Sequence, residues 1–447
     1  MGQRGFTSGM SVFYGKRSFR RIFFAAALSL LAIPSAFCTP APADQLHYIN
    51  TLIGDRASGM GGAYTALSDD ATGLYYNPAG IVYAAGRDLT VSANVYSNIT
   101  RIYKGAIGRF DWERRSSALL PNYFGMVQPM GAVKIGFSYA VPDSTQDNQD
   151  QTFTDVSQFT KTYVFNFHTD DSTYNVGPSI AAPIRDDLSV GLTLYYHLRR
   201  RQYVQNELVL YDTPTYGWAN RFYELIEKGF RPVIGLMWLP VEKMSVGFSL
   251  SQVFLYDATT TQQDTCSDSN VSGQGCNPQL FLQPVILNPS SRLFLDNAPS
   301  KAKRKFPLQA ALGAAYYLSP DLLLSGDMYY YSKVTDDPVG GNREAIANFA
   351  LGAEYSLSKT WIVRGGLFTD LAHTPEVSAS GANQLEHVDL YGVSTSIRHY
   401  TTDTASVTLG GSFTSGSGKA QIVGGRNDIQ DLDVTAWTLF LSSSYSY

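Results

Sequence analysis

From residue 88 onward the chain alternates apolar and polar residues in stretches of about ten, and it does so repeatedly. Alternation puts side chains on the two faces of a strand, so each stretch has one apolar face. "DLTVSANVYS" sets Leu89, Val91, Ala93 and Val95 against Thr90, Ser92 and Asn94. "GAVKIGFSYAV" sets Val133, Ile135, Phe137, Tyr139 and Val141 against Lys134, Gly136 and Ser138. "FPLQAALGAAYYL" sets Phe306, Leu308, Ala310, Leu312, Ala314, Tyr316 and Leu318 against Gln309, Ala311, Gly313 and Ala315. About ten residues is what a tilted strand needs to cross a bilayer. Past the N-terminal leader, no stretch approaches the ~20 apolar residues of a membrane helix. A soluble β-sandwich also alternates, but its outer face should carry more Lys and Glu than these strands do. The pattern therefore predicts an all-β fold, an antiparallel transmembrane β-barrel.

Fourteen strands are expected, at about 88–98, 119–129, 131–142, 173–183, 188–200, 229–239, 244–256, 306–318, 322–334, 345–357, 361–371, 386–398, 404–415 and 433–447. Very short polar turns join them in pairs at 183–187, 240–243, 319–321, 358–360 and 399–403. The remaining connections are long, the longest being 257–305, and this two-rim asymmetry suits an outer-membrane barrel. The last strand, "VTAWTLFLSSSYSY", ends on an aromatic, which is similar to the C-terminal signal read by the barrel-assembly machinery.

The first 38 residues read as a secretory signal peptide: Lys16, Arg17, Arg20 and Arg21, then the apolar run 22–33, then small residues. Without them the chain keeps 29 basic against 38 acidic side chains, a net charge of −9. A nucleic-acid partner needs the opposite sign. Cys266 and Cys276 bracket a Gly- and Ser-rich stretch that could close a disulfide after export.

Residues 39–87 carry no alternation and precede the first strand, so they form a separate hatch or plug inside the 88–447 barrel. Within "GMGGAYTALSDDATGLYYNPAGI", residues 59–81, Gly59, Gly61 and Gly62 permit close packing. Ala63–Tyr76 suits short helices, with Ser68, Asp69 and Asp70 as caps and Pro78 as the stop. Such a segment should start from the short-turn side. This stretch resembles the N-terminal hatch of the FadL/TodX family of outer-membrane channels for long-chain fatty acids and other hydrophobic compounds. Asn77-Pro78-Ala79 coincides with that family's Asn-Pro-Ala motif. PorV-type barrels, which act as shuttle components in protein secretion, share the "GMGGA…DDAT…NPAG" pattern.

The resemblance implies passive transport: a hydrophobic ligand lands on long loops, reaches a lumenal pocket, and leaves sideways at a kinked third strand. Gly131, Gly136 and Pro142 are the candidates for that kink, with relief of crowding as the other reading of Gly136. "YGWANRFYELIEKGF" reads as an amphipathic helix, and Trp218, Phe222, Leu225 and Ile226, with Phe281 and Ile286 further on, form a candidate ligand groove or lid. A carboxylate on the ligand would need a cation. The inward faces offer Lys134 and Arg364 first, with Arg231 and Arg398, and Glu354 is placed to pair with Arg364.

The six histidines lack metal spacing, and no nucleophile elbow, zinc motif or P-loop is present. No enzyme activity, cofactor or metal is expected; the expected partners are a hydrophobic small molecule and outer-membrane lipid, and the expected assembly is a monomer. The rival readings are a PorV-like protein-binding shuttle barrel and a structural or adhesive surface barrel.

Overall fold

The computed structural model describes residues 46–268, 292–379, 384–421 and 429–446. The leader 1–38, Cys276, Phe281 and Ile286 lie outside the described residues. The strands in chain order are β1 (Asp88–Ile107), β2 (Phe110–Met130), β3 (Val133–Thr154), β4 (Thr160–Arg185), β5 (Leu188–Tyr211) and β6 (Tyr216–Val241). There follow β7 (Met244–Ser251), β8 (Phe254–Asp268), β9 (Arg292–Ser300), β10 (Gln309–Tyr317), β11 (Leu322–Tyr331) and β12 (Ile346–Ser356). The last are β13 (Trp361–Asp370), β14 (His387–Val388), β15 (Leu390–Tyr400), β16 (Ala405–Ala420) and β17 (Gln430–Ser446).

Three staves are interrupted (β7/β8, β9/β10 and β14/β15), so seventeen segments make fourteen staves. Neighbours pair antiparallel in sequence order, and β1 closes the ring on β17, from Asp88↔Ser446 to Tyr103↔Leu432. Closure leaves no stave at a free edge of the sheet, as a wall standing in a bilayer requires. The alternation sorts as expected: Leu312, Leu351, Leu367, Val393, Leu409 and Leu439 are exposed on the outer face. Gly313, Ala311, Ser325, Ser394 and Ser442 face the lumen. Phe306 departs from the expected parity. It precedes β10, beyond Pro307, and turns inward against His197 with ring centroids 5.6 Å apart.

The wall is uneven in height. β1 to β6 run 20 to 26 residues each, whereas β10 to β13 run 9 to 11. Expected loops at 98–119, 142–173 and 200–229 are therefore strands that continue beyond the apolar belt and turn at their tips. Above the belt their outer face becomes polar, with Gln146, Asn148, Asp150, His168 and Asp170 exposed. The inner face stays aromatic: Tyr103, Trp112, Phe165 and Phe167 pack with Leu432 and Val434. Arg114 binds Asp147 at 2.6 Å within this upper core.

The expected helix at 216–230 is a correction. That stretch lies in β6, between β5 (Tyr216↔Leu210, Phe230↔Tyr196) and β8 (Gly217↔Asp268, Phe230↔Phe254). Pairing on both sides satisfies more backbone than an isolated short helix could. Trp218, Phe222 and Ile226 consequently share one face of the strand, while Leu225 is buried on the other. They do not form the expected single groove.

The upper core also buries Glu207, 2% exposed, which accepts from the Gln205 side chain and sits opposite Phe165. Arg221 of β6, which acts on Glu207, is itself bound to Asp264 of β8 at 2.7 Å. Burial pushes the Glu207 carboxyl up to about 8. The folded state thus holds a proton that the unfolded chain releases, and this group's contribution is full in acid and lost as pH rises through about 8. Trp112 fluorescence, followed during unfolding at pH 5 and pH 9, should report a weaker upper tier at pH 9. Glu207→Gln should flatten that difference, and an unchanged pH profile in the variant would contradict this assignment.

Candidate functional site

The plug occupies the lumen. Its elements are helix α1 (Asp55–Gly59), helix α2 (Gly73–Tyr76) and a 3₁₀ turn (Pro78–Tyr83). Contrary to expectation, its first described residues lie high in the lumen: the His47 ring meets Val388 O at 2.7 Å and Tyr48 stacks on Tyr331 at 4.2 Å. From there the chain descends to α1 near the short-turn rim.

A backbone enclosed in a barrel must find every hydrogen-bond partner there. Wall side chains supply them: Ser394 donates to Gly59 O (3.2 Å), Tyr329 to Gly62 O (2.5 Å), Ser245 to Ala66 O (2.6 Å), Thr193 to Leu74 O (2.8 Å) and Ser189 to Ala79 O (2.9 Å). Asp327 accepts from the Tyr64 and Thr65 amides at 2.9 and 2.7 Å. Asn77, fully buried, donates to Thr65 O (2.9 Å) and Leu236 O (3.0 Å) and accepts from Ala79 N (3.2 Å). It ties the plug to itself and to β6 at once. Pro78 and Ala79 then lie directly on Gly191, where any side chain would collide with their backbone. Gly61 and Gly62 adopt φ of 67° and 89°, and Gly59 lies against Ser396.

Charge pins the plug as well. Asp55 meets Arg398 at 2.8 Å; Arg56 meets Glu354 at 2.8 Å and Asp69 at 2.5 Å. Glu354 also takes Arg364 at 2.6 Å, the expected pair, so Arg364 is committed to the wall. Lys134 donates to Ala84 O. Neither of the first-named carboxylate partners therefore faces a ligand space. The expected capping is also revised. Asp70 accepts from Thr72 N at 2.7 Å ahead of α2, Asp69 is the ion-pair partner of Arg56, and Ser68 donates back to Tyr64 O at 2.9 Å.

Above the plug is a cavity of about 150 Å³, which shares Tyr48, Tyr75, Pro142 and Arg231 in its lining with a lower one of about 60 Å³. Four arginines line the upper part. Arg199 binds Asp171 at 2.7 Å, Arg304 binds Glu227 at 3.1 Å, and Arg343 binds Asp337. Arg231 differs. It is 8% exposed and makes no ion pair among the described residues; Ser251 (3.4 Å), Gln309 (3.3 Å) and the face of Tyr75 (4.9 Å) are its partners. His47, His197 and His373 also line this cavity, although they are scattered in sequence. Among the described residues no metal-binding group of His, Cys, Asp or Glu is found.

The cavity meets the wall at an irregular seam. β2 and β3 pair from Tyr123↔Ala140 to Met130↔Val133, then only at Ser116↔Asp147. Residues 117–122 and 141–146 have no ladder across that seam, and β3 shifts register against β4 between Ala140 and Asp143. Pro142, which brings no amide hydrogen, stands in the break. The other two kink candidates have different places. Gly131 (φ 65°) lies in the turn between β2 and β3, and Gly136 keeps regular pairs while facing Leu74.

A closed fourteen-stranded wall, a lumenal plug and a charged, ring-lined cavity above it define a plugged transmembrane barrel with an internal cavity. No family model and no curated protein matches the sequence. Among solved structures, the chain is similar to a Pseudomonas aeruginosa FadL homologue, at 14% identity and TM-score 0.61, covering 90% of this chain and 99% of that one. It is similar to the P. putida toluene transporter TodX at 12% identity and TM-score 0.62, covering 90% and 99%. It also resembles the CymD monoaromatic hydrocarbon channel at 14% identity and TM-score 0.56, covering 90% and 98%. The fold is that of the FadL/TodX-type barrels.

Asn77→Ala would leave the buried Thr65 and Leu236 carbonyls short of a donor, a loss of about 1–3 kcal/mol. The temperature at which the folded band is lost on gel electrophoresis should fall, and it should fall further for Gly191→Val. If both variants match the parent, the plug is not held as described.

Proposed function

We propose that this chain is an outer-membrane channel for the passive uptake of hydrophobic compounds, long-chain fatty acids among the candidates. The observation that supports it best is the junction at Pro142: the cavity above the plug reaches the wall where the β2–β3 ladder is missing. An axial route is blocked below by a plug hydrogen-bonded and ion-paired around its circumference. The seam is a weak part of the wall, because residues 117–122 and 141–146 lack the backbone ladder that β2 and β3 keep from Tyr123↔Ala140 to Met130↔Val133. A ligand held in the cavity would leave through it sideways into the bilayer. Arg231 is the group suited to an acidic head, since a buried guanidinium without a counter-ion gains most from an incoming anion.

Around this reading stand further proposals. Residues 1–38 direct export, the final strand is read during barrel assembly, and Cys266 pairs with Cys276 on the outer side. The barrel works as a monomer, without enzymatic chemistry.

Asn122 and Val141 follow directly on the last regular pair below the seam, Tyr123↔Ala140. Asn122→Cys with Val141→Cys should therefore permit a reversible staple. In proteoliposomes, oxidation should reduce uptake of a labelled hydrophobic probe several-fold, and reduction should restore it. Uptake indifferent to the staple would remove the lateral route.

A further inference from the structure

The cavity narrows the ligand class, on the premise that it is the binding space of the uptake reading. We infer that its preferred occupant is compact: a single-ring aromatic acid carrying a ring hydroxyl, held by Arg231 at the carboxylate and His197 at the hydroxyl.

Size is the first argument. The upper cavity, about 150 Å³, matches the roughly 150 Å³ that admits one benzene ring. The lower cavity adds about 60 Å³. A long acyl chain carries the volume of several rings. The shape of the walls agrees. Tyr48 stacks on Tyr331 at 4.2 Å and tilts against His373 at 4.4 Å, while Phe306 meets His197 edge-on. Flat faces and edges of this kind suit another flat ring better than a flexible chain.

Chemistry is the second argument. Arg199 and Arg304 share Glu227, Arg199 and Arg201 share Asp171, and Arg343 binds Asp337, so Arg231 alone among the four makes no ion pair among the described residues. Asp143 also lines the cavity and acts on Arg199, so Arg231 is the guanidinium whose direct partners are all neutral, and an incoming carboxylate would give it an ion pair. His197 supplies the other polar contact. Its Nδ1 lies 3.0 Å from the Asn175 side-chain oxygen, which can only accept, so Nδ1 carries the proton. Nε2 is then an acceptor, and it is buried with no hydrogen-bond partner in a residue 3% exposed that lines the cavity. A ring hydroxyl donates where Nε2 accepts, while a carboxylate accepts where Arg231 donates.

Calorimetric titration of the full folded chain in detergent with 4-hydroxybenzoate, 3-hydroxybenzoate, benzoate, toluene and oleate tests this. Expected is saturable binding in which a hydroxybenzoate is tightest, benzoate is weaker, and toluene and oleate are weakest. Arg231→Gln should lower affinity for the acids by about tenfold or more and leave toluene unchanged. Arg231→Lys, which keeps the charge and loses the fork, should fall between. His197→Phe should bring hydroxybenzoate down to the level of benzoate. Heat-modifiable migration checks that each variant is folded. Oleate saturating while the acids do not, or acid binding indifferent to Arg231→Gln and Arg231→Lys alike, overturns the inference. Proteoliposome uptake of the same probes separates the two readings. Acids that bind but do not cross count against uptake alone; toluene or oleate that crosses without acid binding counts against the aromatic-acid assignment alone.

Discussion

Everything in this barrel depends on how its lumen deals with a peptide backbone placed inside it. A closed sheet satisfies its own backbone and so can stand in lipid, but a plug of short helices and turns brings unpaired carbonyls and amides into a space with little water. The wall answers with hydroxyls, a carboxylate and missing side chains. Ser189, Thr193, Ser245, Ser394 and Tyr329 donate to plug carbonyls, and Asp327 accepts from plug amides. Gly191 lets Pro78 and Ala79 approach to backbone contact. The small polar residues on the inward faces are thus the complement of the plug, set at its height.

Charge follows the same logic at two levels. Near the short-turn rim, Asp55, Asp69 and Glu354 with Arg56, Arg364 and Arg398 form a compensated network between plug and wall. Breaking one partner would strand the other in a low-dielectric space, which is expensive. Higher up, three of four cavity arginines are compensated and Arg231 is not. Among the described residues, Arg231 is the cavity guanidinium held by neutral partners only, Ser251, Gln309 and the face of Tyr75. The cavity and the interrupted β2–β3 ladder share Pro142.

The faces of the short staves were legible in sequence. Leu312 and Gly313, or Leu439 and Thr438, alternate because a single-layer wall between lipid and lumen sets opposite demands on successive residues. The pair Glu354 and Arg364 was legible from their equal heights above the 358–360 turn, and β12–β13 register them directly opposite. The tall hairpins were not. Beyond the belt the outer face of β3 and β4 turns polar, and the apolar stripe that announces a strand disappears while the pairing continues. For the same reason 216–230 imitates an amphipathic helix: its aromatic residues cluster in sequence, and only the neighbouring strands β5 and β8 decide the period.

By itself, the sequence determined a closed antiparallel barrel of fourteen staves, which residues meet lipid, and a plug marked by Asn77-Pro78-Ala79. These follow from local periodicity and from turn chemistry, where each residue's role depends on its near neighbours along the chain. Only the tertiary structure decided which cation is left without a partner, where the ladder breaks, and that His47, His197 and His373 share one cavity. The cavity draws on the plug, on staves from β3 to β11 and on Arg343 and His373 outside the strands, so its composition depends on barrel closure and stave register. A pattern read along one strand at a time carries neither.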